Sequence, residues 1–307
     1  MPDFATPEEM QTAINSSGYL LEGRVARILA DKGFFVEPNC FILDPSDPKK
    51  NVEIDVCANL GQFVNEENRD TVTAALLVEC KNNSQPFAFF IQQQQLPELN
   101  AGRVQYGGYP KFSKEPDSEL RPDLRELLAF KEWHHYCKAP EVATQFCSFT
   151  LTGEKANNCT APKKARNCKA EAMEHYSKSF AKLAAVAAAD AQQPFGLKLK
   201  NIQVQVNYPV VVLQGPIYRV VDEHGSAKVE EVQRLQLQHS ANLEGRVVPV
   251  QIDVVRESEL PSLLTEIEGE MGELRKRIEA MYERLLASAI DQKQAALVKG
   301  GAFHFST

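Results

Sequence analysis

Two short segments in the first third of the chain place charged residues inside apolar, strand-like sequence. One reads Val-Glu-Ile-Asp-Val from residue 52, and the other reads Leu-Leu-Val-Glu-Cys-Lys from residue 76. Side chains alternate between the two faces of a strand, so Glu53 and Asp55 are expected on one face of the first strand. Glu79 and Lys81 are expected on one face of the second. Such groups are rarely buried unless they are paired or bind a metal, so the segments predict one polar cluster between neighbouring strands.

The composition indicates an ordinary globular protein of one or two domains. The chain has 307 residues and a net charge of -7, which argues against a uniformly basic nucleic-acid surface but leaves room for a local basic groove. No apolar run of about 18 residues occurs. The first residues lack the basic and apolar regions of a signal peptide, so we expect a cytoplasmic protein without a membrane span.

The cysteines and histidines do not predict a metal site. Seven cysteines occur without a Cys-x-x-Cys pair, a pattern that indicates free thiols in a reducing compartment. His134, His135 and Cys137 are too irregularly spaced from the later cysteines to predict a zinc ribbon or finger.

Hydrophobic periodicity predicts an α/β unit around the charged strands. A helix is expected from about residue 17 to 32, ending at Gly33, and Glu22 lies at the border of its apolar face. A strand is expected at 34–43, before the two charged strands. A run of valines within 201–213 predicts an interior strand of a sheet.

The middle of the chain, about 96–165, is rich in glycine and proline and is predicted to be a helical insertion with a helix at about 122–137. Next comes a predicted helix over 166–191. A basic run over residues 155–169 overlaps its start. Its cations fit either phosphate contacts, each of which neutralises backbone charge, or a solvated loop. The cations that are candidates for phosphate contact are Lys163, Lys164 and Arg166.

An amphipathic helix is predicted at about 262–286. Seven apolar residues there are spaced alternately by three and four positions, which forms an apolar seam. They are Leu264, Ile267, Met271, Leu274, Ile278, Met281 and Leu285. The seam fits either a helix packed on its own domain or a coiled coil that makes a homodimer. We therefore predict a domain over 1–255 and a C-terminal helical element over 256–307 that is a candidate for oligomerisation.

The paired charged strands suggest a chemistry. If Asp55 and Glu79 meet at the ends of neighbouring strands, their oxygens suit Mg²⁺, which prefers one or two carboxylates with water and phosphate oxygens. Lys81 would then orient or help deprotonate a water and offset charge on a phosphorane-like transition state. That combination fits phosphodiester hydrolysis. The alternative is a set of cross-strand ion pairs at a sheet edge.

These residues resemble the PD-(D/E)xK nuclease superfamily. The pattern is a helix with Glu22, a strand with Asp55, and the triplet Glu79-Cys80-Lys81 after an apolar strand. The resemblance implies that Asp55 and Glu79 bind the metal, with the Cys80 carbonyl as an extra ligand. It implies that Lys81 is the catalytic lysine and that Glu22 is an accessory acid and a further candidate ligand.

The resemblance covers roughly residues 18–81 and extends more loosely through 166–191 and 201–213. It implies a restriction-endonuclease-like core with a mixed central sheet flanked by helices. The sequence departs from the family pattern by an isoleucine before Asp55, by a long gap to the second acid and by a large insertion. Glu53 is the other candidate for the first ligand, and the form Glu-Ile-Asp favours Asp55.

The expected activity is that of a Mg²⁺-dependent endonuclease, with Mn²⁺ as a substitute ion and DNA as the expected substrate. The alternative is a catalytically inactive protein of the same fold that binds nucleic acid or another protein.

Overall fold

The computed structural model describes residues 4–83, 85–109, 123–152, 167–171, 174–191, 202–243 and 245–285. The helices of these residues are α1 (Pro7–Ser16), α2 (Tyr19–Asp31), α3 (Leu124–Leu127), α4 (Phe130–Trp133), α5 (His135–Lys138), α6 (Glu174–Asp190) and α7 (Leu260–Ala280). The strands are β1 (Phe35–Asp44), β2 (Asp47–Asn65), β3 (Asp70–Lys81), β4 (Phe87–Gln93), β5 (Gln105–Tyr109), β6 (Glu141–Thr152), β7 (Asn167–Glu171), β8 (Gln203–Leu213), β9 (Ile217–Glu223), β10 (Ser226–Val232), β11 (Arg234–Leu243) and β12 (Arg246–Arg256). The basic residues Lys163, Lys164 and Arg166 lie outside the described residues.

The strands form one mixed sheet in the order β1-β2-β3-β8-β12-β11-β6-β4-β9-β10, with β5 on β8 and β7 on β6. The first three strands are an antiparallel meander, and β8 lies parallel to β3 along a continuous ladder. Both β3 and β8 are buried over most of their length, which explains their near-continuous apolar sequences. An α/β protein with a large mixed sheet flanked by helices is therefore confirmed.

Helices cover both faces of the meander. On one face, α2 and α7 pack against the sheet and share a core that includes Leu21 and Val25. On the opposite face, α6 contributes Phe180 and Leu183 to a second core. Each such fully buried side chain stabilises the fold by about 1.5–3 kcal/mol relative to exposure. The charged segments of β2 and β3 therefore lie between two packed helical layers.

The apolar seam of α7 packs on the protein's own core, as the first interpretation of the seam predicts. Leu264, Ile267, Met271, Leu274 and Ile278 are all completely buried and belong to the core that α2 shares. A homodimer through α7 would have to use its other faces, and it stays a prediction.

Two predicted helices differ from the structure. The helix expected at 122–137 is three short helices, because Ala129 adopts a left-handed φ of 50° and His134 is extended. The helix expected at 166–191 begins only at Glu174, because 167–171 form β7 on the edge of β6. Intrinsic helix preference is weak and strand pairing overrides it here.

The predicted insertion is helical only in part. Its described residues include the strands β5 and β6, and both join the main sheet. None of the helices within the described ranges has the length and apolar character that a membrane crossing requires.

Candidate functional site

Asp55 lies at the point where β2 and β3 separate. The ladder between these strands begins at the pair Val56 and Val78, one residue after Asp55 along β2. At that point Asp55 Oδ2 accepts a hydrogen bond of 2.7 Å from the backbone N–H of Cys80. The carboxylate thus takes the place of a backbone acceptor, which fixes its position beside the end of β3.

The strict alternation predicted for β2 is wrong at this position. Ile54 packs in the core beneath α6 and Val56 in the core beneath α2, although residues two apart normally share a face. The paired strand β1 bends at the same level, where Asn39 has a left-handed φ of 53°. As a result Glu53 is exposed, whereas Asp55 is turned toward β3 and half-buried.

The alternation predicted for β3 is confirmed. Val78 and Cys80 face the α2 core, and Glu79 and Lys81 point together to the other side. Lys81 Nζ is 2.6 Å from Glu79 Oε2 and 3.7 Å from Asp55 Oδ2. These two oxygens therefore lie no farther apart than the sum of those distances, about 6.3 Å. We refer to Asp55, Glu79 and Lys81 as the carboxylate–lysine site.

Lys81 is a protonated ammonium in this arrangement. Burial lowers the pKa of Lys81. The charges of Glu79 and Asp55 and the hydrogen bond to Glu79 raise it by more, so its pKa lies above the ordinary value. Its partner Glu79 is 1% exposed and Lys81 itself only 15%. The ammonium is therefore held by geometry and charge between the two carboxylates.

Glu22 approaches the same site from α2. Burial raises its pKa, and so do the charges of Asp55 and Glu53, while Lys81 lowers it. Gly18 leaves room for the Glu22 carboxylate, since a Cβ there would lie 3.0 Å from Oε1. Glu22 is thus close enough to sense the charges of the site.

Asparagines after β3 hold the surrounding backbone. Asn82 donates a 2.7 Å hydrogen bond to the carbonyl of Ser17, which ties the end of β3 to the start of α2. Asn83 accepts a 3.0 Å hydrogen bond from the backbone of Gly215, just after β8. Both asparagines therefore tie the segment after β3 to neighbouring elements.

Lys182 is a member of the site that the sequence pattern did not predict. It reaches from α6, and its Nζ lies 2.5 Å from Glu79 Oε1 and donates a 2.6 Å hydrogen bond to the Glu53 carbonyl. The available signal was weak: Lys182 is the one cation in the stretch from 179 to 197, which is dominated by alanine.

The local charge favours a divalent cation. The Glu22 carboxylate senses the charges of this site and of Glu53, so four carboxylates and two lysines sum to -2 when all are ionised; the carboxylates are Glu22, Glu53, Asp55 and Glu79, and the lysines are Lys81 and Lys182. Carboxylate oxygens are the ligands that Mg²⁺ prefers, and one cationic group already lies between two of them. Asp55, Glu79 and the Cys80 carbonyl are the residues that could hold an ion, with Glu22 nearby.

Comparison with protein-family models, curated proteins and solved structures gives no significant match for this chain. The function is therefore inferred from the residues of the carboxylate–lysine site.

A second group of ionisable residues lies deep in the protein, where α5 meets α7 and β12. His135 Nε2 is 3.0 Å from Asp253 Oδ2, and His135 Nδ1 is 3.0 Å from Glu270 Oε1. Tyr208 donates a 3.1 Å hydrogen bond to Glu270, and His134 Nε2 lies 3.8 Å from the same carboxylate. We call His134, His135, Asp253 and Glu270 the histidine cluster.

Ligand atoms of His134, His135 and Glu270 all lie within 4.8 Å of one another, so the cluster could hold a metal ion. The ring geometry does not favour it. The two imidazoles stack at 4.9 Å with planes 20° apart, which directs their in-plane lone pairs side by side. In addition, His134 Nδ1 accepts a hydrogen bond from the Tyr136 N–H, so a neutral ring carries its proton on Nε2, the atom that would have to bind the ion.

Charge pairing accounts for the histidine cluster more simply. Burial lowers the pKa of His134 to about 4, so this ring is neutral. Burial also lowers the pKa of His135, but Asp253 and Glu270 raise it by more, to about 10. His135 is therefore an imidazolium between two carboxylates.

We accordingly expect chelation to leave the histidine cluster intact. Dialysis against EDTA should change the thermal midpoint of unfolding by less than about 2 °C, because a charge-paired cluster needs no ion, whereas loss of a structural metal removes folding free energy. The measurement is differential scanning calorimetry with elemental analysis of the same sample. Stoichiometric zinc and a large fall in the midpoint would contradict the charge-paired interpretation.

Proposed function

We propose that this protein is a Mg²⁺-dependent endonuclease with a restriction-endonuclease-like core, acting on DNA. The observation that carries the proposal is the convergence of Asp55 and Glu79, from neighbouring strands, around the ammonium of Lys81. The residues named for the three principal roles in the superfamily pattern thus lie close together in space. Glu22, named as the accessory acid, lies beside them.

The order of elements adds support. The helix α2 is followed by the meander β1-β2-β3, and after the intervening elements β4 to β7 the helix α6 leads into β8, which is parallel to β3. With those intervening elements set aside, the order helix-strand-strand-strand-helix is the one on which the resemblance rests, and β8 extends it. The remaining strands extend the sheet beyond β8 without separating the charged strands from α2 or α6.

The donor set fits the proposed ion. Asp55 and Glu79 offer hard oxygens, and the excess of negative charge around them is suited to a divalent cation. When bound, Mg²⁺ would neutralise phosphate charge and lower the pKa of a water molecule. Mn²⁺ is expected to substitute because it prefers similar ligands.

The chain's own residues have separate tasks in this proposal. The Cys80 N–H holds the Asp55 carboxylate in place. Lys81, as a protonated donor, would stabilise the charge that develops on the phosphate oxygens. Glu22, whose burial raises its pKa, accepts a proton more readily than an exposed glutamate and is suited to an accessory acid–base role.

A catalytically inactive binding protein is the second candidate, and one observation favours it. Both oxygens of Glu79 contact a lysine, Oε2 with Lys81 and Oε1 with Lys182. A closed set of ion pairs can hold two strands and a helix together without any chemistry. Such a protein would bind nucleic acid or another protein through a different surface.

Incubation of supercoiled plasmid with the protein tests the two candidates. Wild type should convert the plasmid to nicked or linear forms with Mg²⁺ or Mn²⁺ and not with EDTA, and Asp55→Ala should be inactive. Lys50→Ala is the control, because Lys50 is exposed on the β1–β2 hairpin. Among the described residues, its ion pair is with Asp47, at 2.9 Å. Equal activity of wild type and Asp55→Ala would refute the assignment, and a parallel assay on RNA tests the substrate.

A further inference from the structure

Lys182 joins the carboxylate–lysine site from a separate element. Its Nζ is 2.5 Å from Glu79 Oε1, yet that oxygen makes no hydrogen bond of regular geometry among the described residues. The directed hydrogen bond of Lys182 goes instead to the Glu53 carbonyl, at 2.6 Å. Lys182 and Glu79 therefore form a close ion pair without a well-directed hydrogen bond.

Each oxygen of Glu79 contacts a lysine ammonium, and these contacts oppose the binding of an ion to Glu79. A divalent cation and an ammonium compete for the same oxygen and repel each other. If an ion binds Glu79, at least one lysine must withdraw. Lys182 is the better candidate, since its side chain is 30% exposed and that of Lys81 15%.

The helix that carries Lys182 is itself firmly placed. Its neighbours Phe180, Leu183 and Ala184 are completely buried in the core under the sheet. Lys182 can therefore leave Glu79 by rotation of its own flexible side chain, while α6 and β3 stay where they are. Lys81, in contrast, belongs to β3 and is held between Glu79 and Asp55.

We infer that Lys182 is a substrate-positioning residue that exchanges partners: it neutralises Glu79 until an ion binds there, and then contacts a phosphate of the nucleic-acid backbone. Lysine binds phosphate as a mobile point charge, which suits such an exchange. The phosphate supplies the negative charge that the ammonium loses when it leaves Glu79. The inference depends on the proposed nuclease function.

Ion affinity gives the first test, and it does not require catalysis. Mn²⁺ is titrated by isothermal calorimetry into wild type, Lys182→Ala and Lys178→Ala without nucleic acid. Lys182→Ala should bind Mn²⁺ about five- to tenfold more tightly, because a competing cation is gone. Lys178 is an exposed lysine one turn earlier on α6, and its replacement removes the same charge and should leave the affinity unchanged.

Phosphate contact gives the second test, in which Lys182→Ala is expected to weaken binding rather than tighten it. Fluorescence anisotropy measures binding of a labelled duplex oligonucleotide with Ca²⁺, and a gel checks that the strand stays intact. Lys182→Ala should bind about five- to tenfold more weakly than wild type, and Lys182→Arg close to wild type, because charge is retained. A purely structural lysine would not tighten ion binding while weakening nucleic-acid binding.

The outcomes separate this inference from the nuclease proposal. If wild type binds Mn²⁺ and cleaves plasmid but Lys182→Ala matches it in both titrations, the inference is overturned and the nuclease proposal stands. If wild type binds no Mn²⁺, both are overturned. Circular dichroism confirms folding, and Lys182→Met, which keeps the aliphatic stem, replaces any alanine variant that unfolds.

Discussion

Lys81→Met is expected to cleave plasmid about 10²–10³-fold more slowly than wild type, because that is the usual effect of removing one donor that stabilises transition-state charge. Methionine keeps most of the aliphatic stem, so packing at the end of β3 should survive. What it lacks is the ammonium that lies 2.6 Å from Glu79 and 3.7 Å from Asp55. The measurement is a single-turnover rate with Mg²⁺ at saturating enzyme.

The same variant should still bind metal. Because Lys81 competes with an ion for the carboxylates, Lys81→Met is expected to bind Mn²⁺ at least as tightly as wild type in calorimetry. Loss of cleavage with retention of Mn²⁺ binding would place Lys81 in the chemical step. A variant that cleaves at the wild-type rate would refute the role of Lys81, and Lys50→Met serves as the matched surface control.

The residues of the carboxylate–lysine site were accessible from sequence because their signal is local. In β3 a period of two places Glu79 and Lys81 on one side, and the buried strand keeps that period to its end. The helical spacing of Leu21 and Val25 likewise predicts which side of α2 faces the sheet. It therefore also predicts that Glu22 lies at the border of that side. Each of these inferences needs only a short stretch of chain.

Other features depend on contacts between distant parts of the chain. Asp55 leaves the regular alternation at the level where the paired strand bends at Asn39, and the sequence of β2 alone does not predict that bend. Lys182 lies about a hundred residues after Glu79, and its distance from the site depends on how α6 crosses the sheet. The edge pairing of β7 overrides a helical preference for the same reason.

The histidine cluster shows the limit of spacing arguments. His135 is paired with Asp253 on β12 and Glu270 on α7, residues more than a hundred positions away. Spacing tests for zinc examine neighbouring cysteines and histidines, so they could not detect a buried charge pair. The partners of a buried cation depend on the tertiary structure, because the fold must bring each carboxylate into the same low-dielectric interior.

Glu270→Ala is expected to lower the free energy of unfolding by about 3–5 kcal/mol, the cost of leaving one partner of a buried ion pair uncompensated. The variant would remove a carboxylate that contacts His135 and accepts from Tyr208. Urea denaturation followed by circular dichroism measures the change. Glu279→Ala on the same helix is the control, because the Glu279–Arg275 pair is exposed at 2.7 Å and contributes less than about 1 kcal/mol.

The pH dependence of stability identifies His135 as the charged partner. Its pKa in the fold is about 10, above the ordinary value of about 6.5, so its stabilisation is complete below pH 6.5 and is lost as pH rises toward 10. Between about pH 6.5 and 8.5 the wild-type free energy of unfolding should therefore fall by up to about 1.4 kcal/mol per pH unit. Glu270→Gln should show a shallower fall, because Asp253 alone raises the pKa of His135 less than both carboxylates together. A wild-type stability that stays constant across this window would mean that His135 is neutral in the fold, and the charge-paired interpretation would then be wrong.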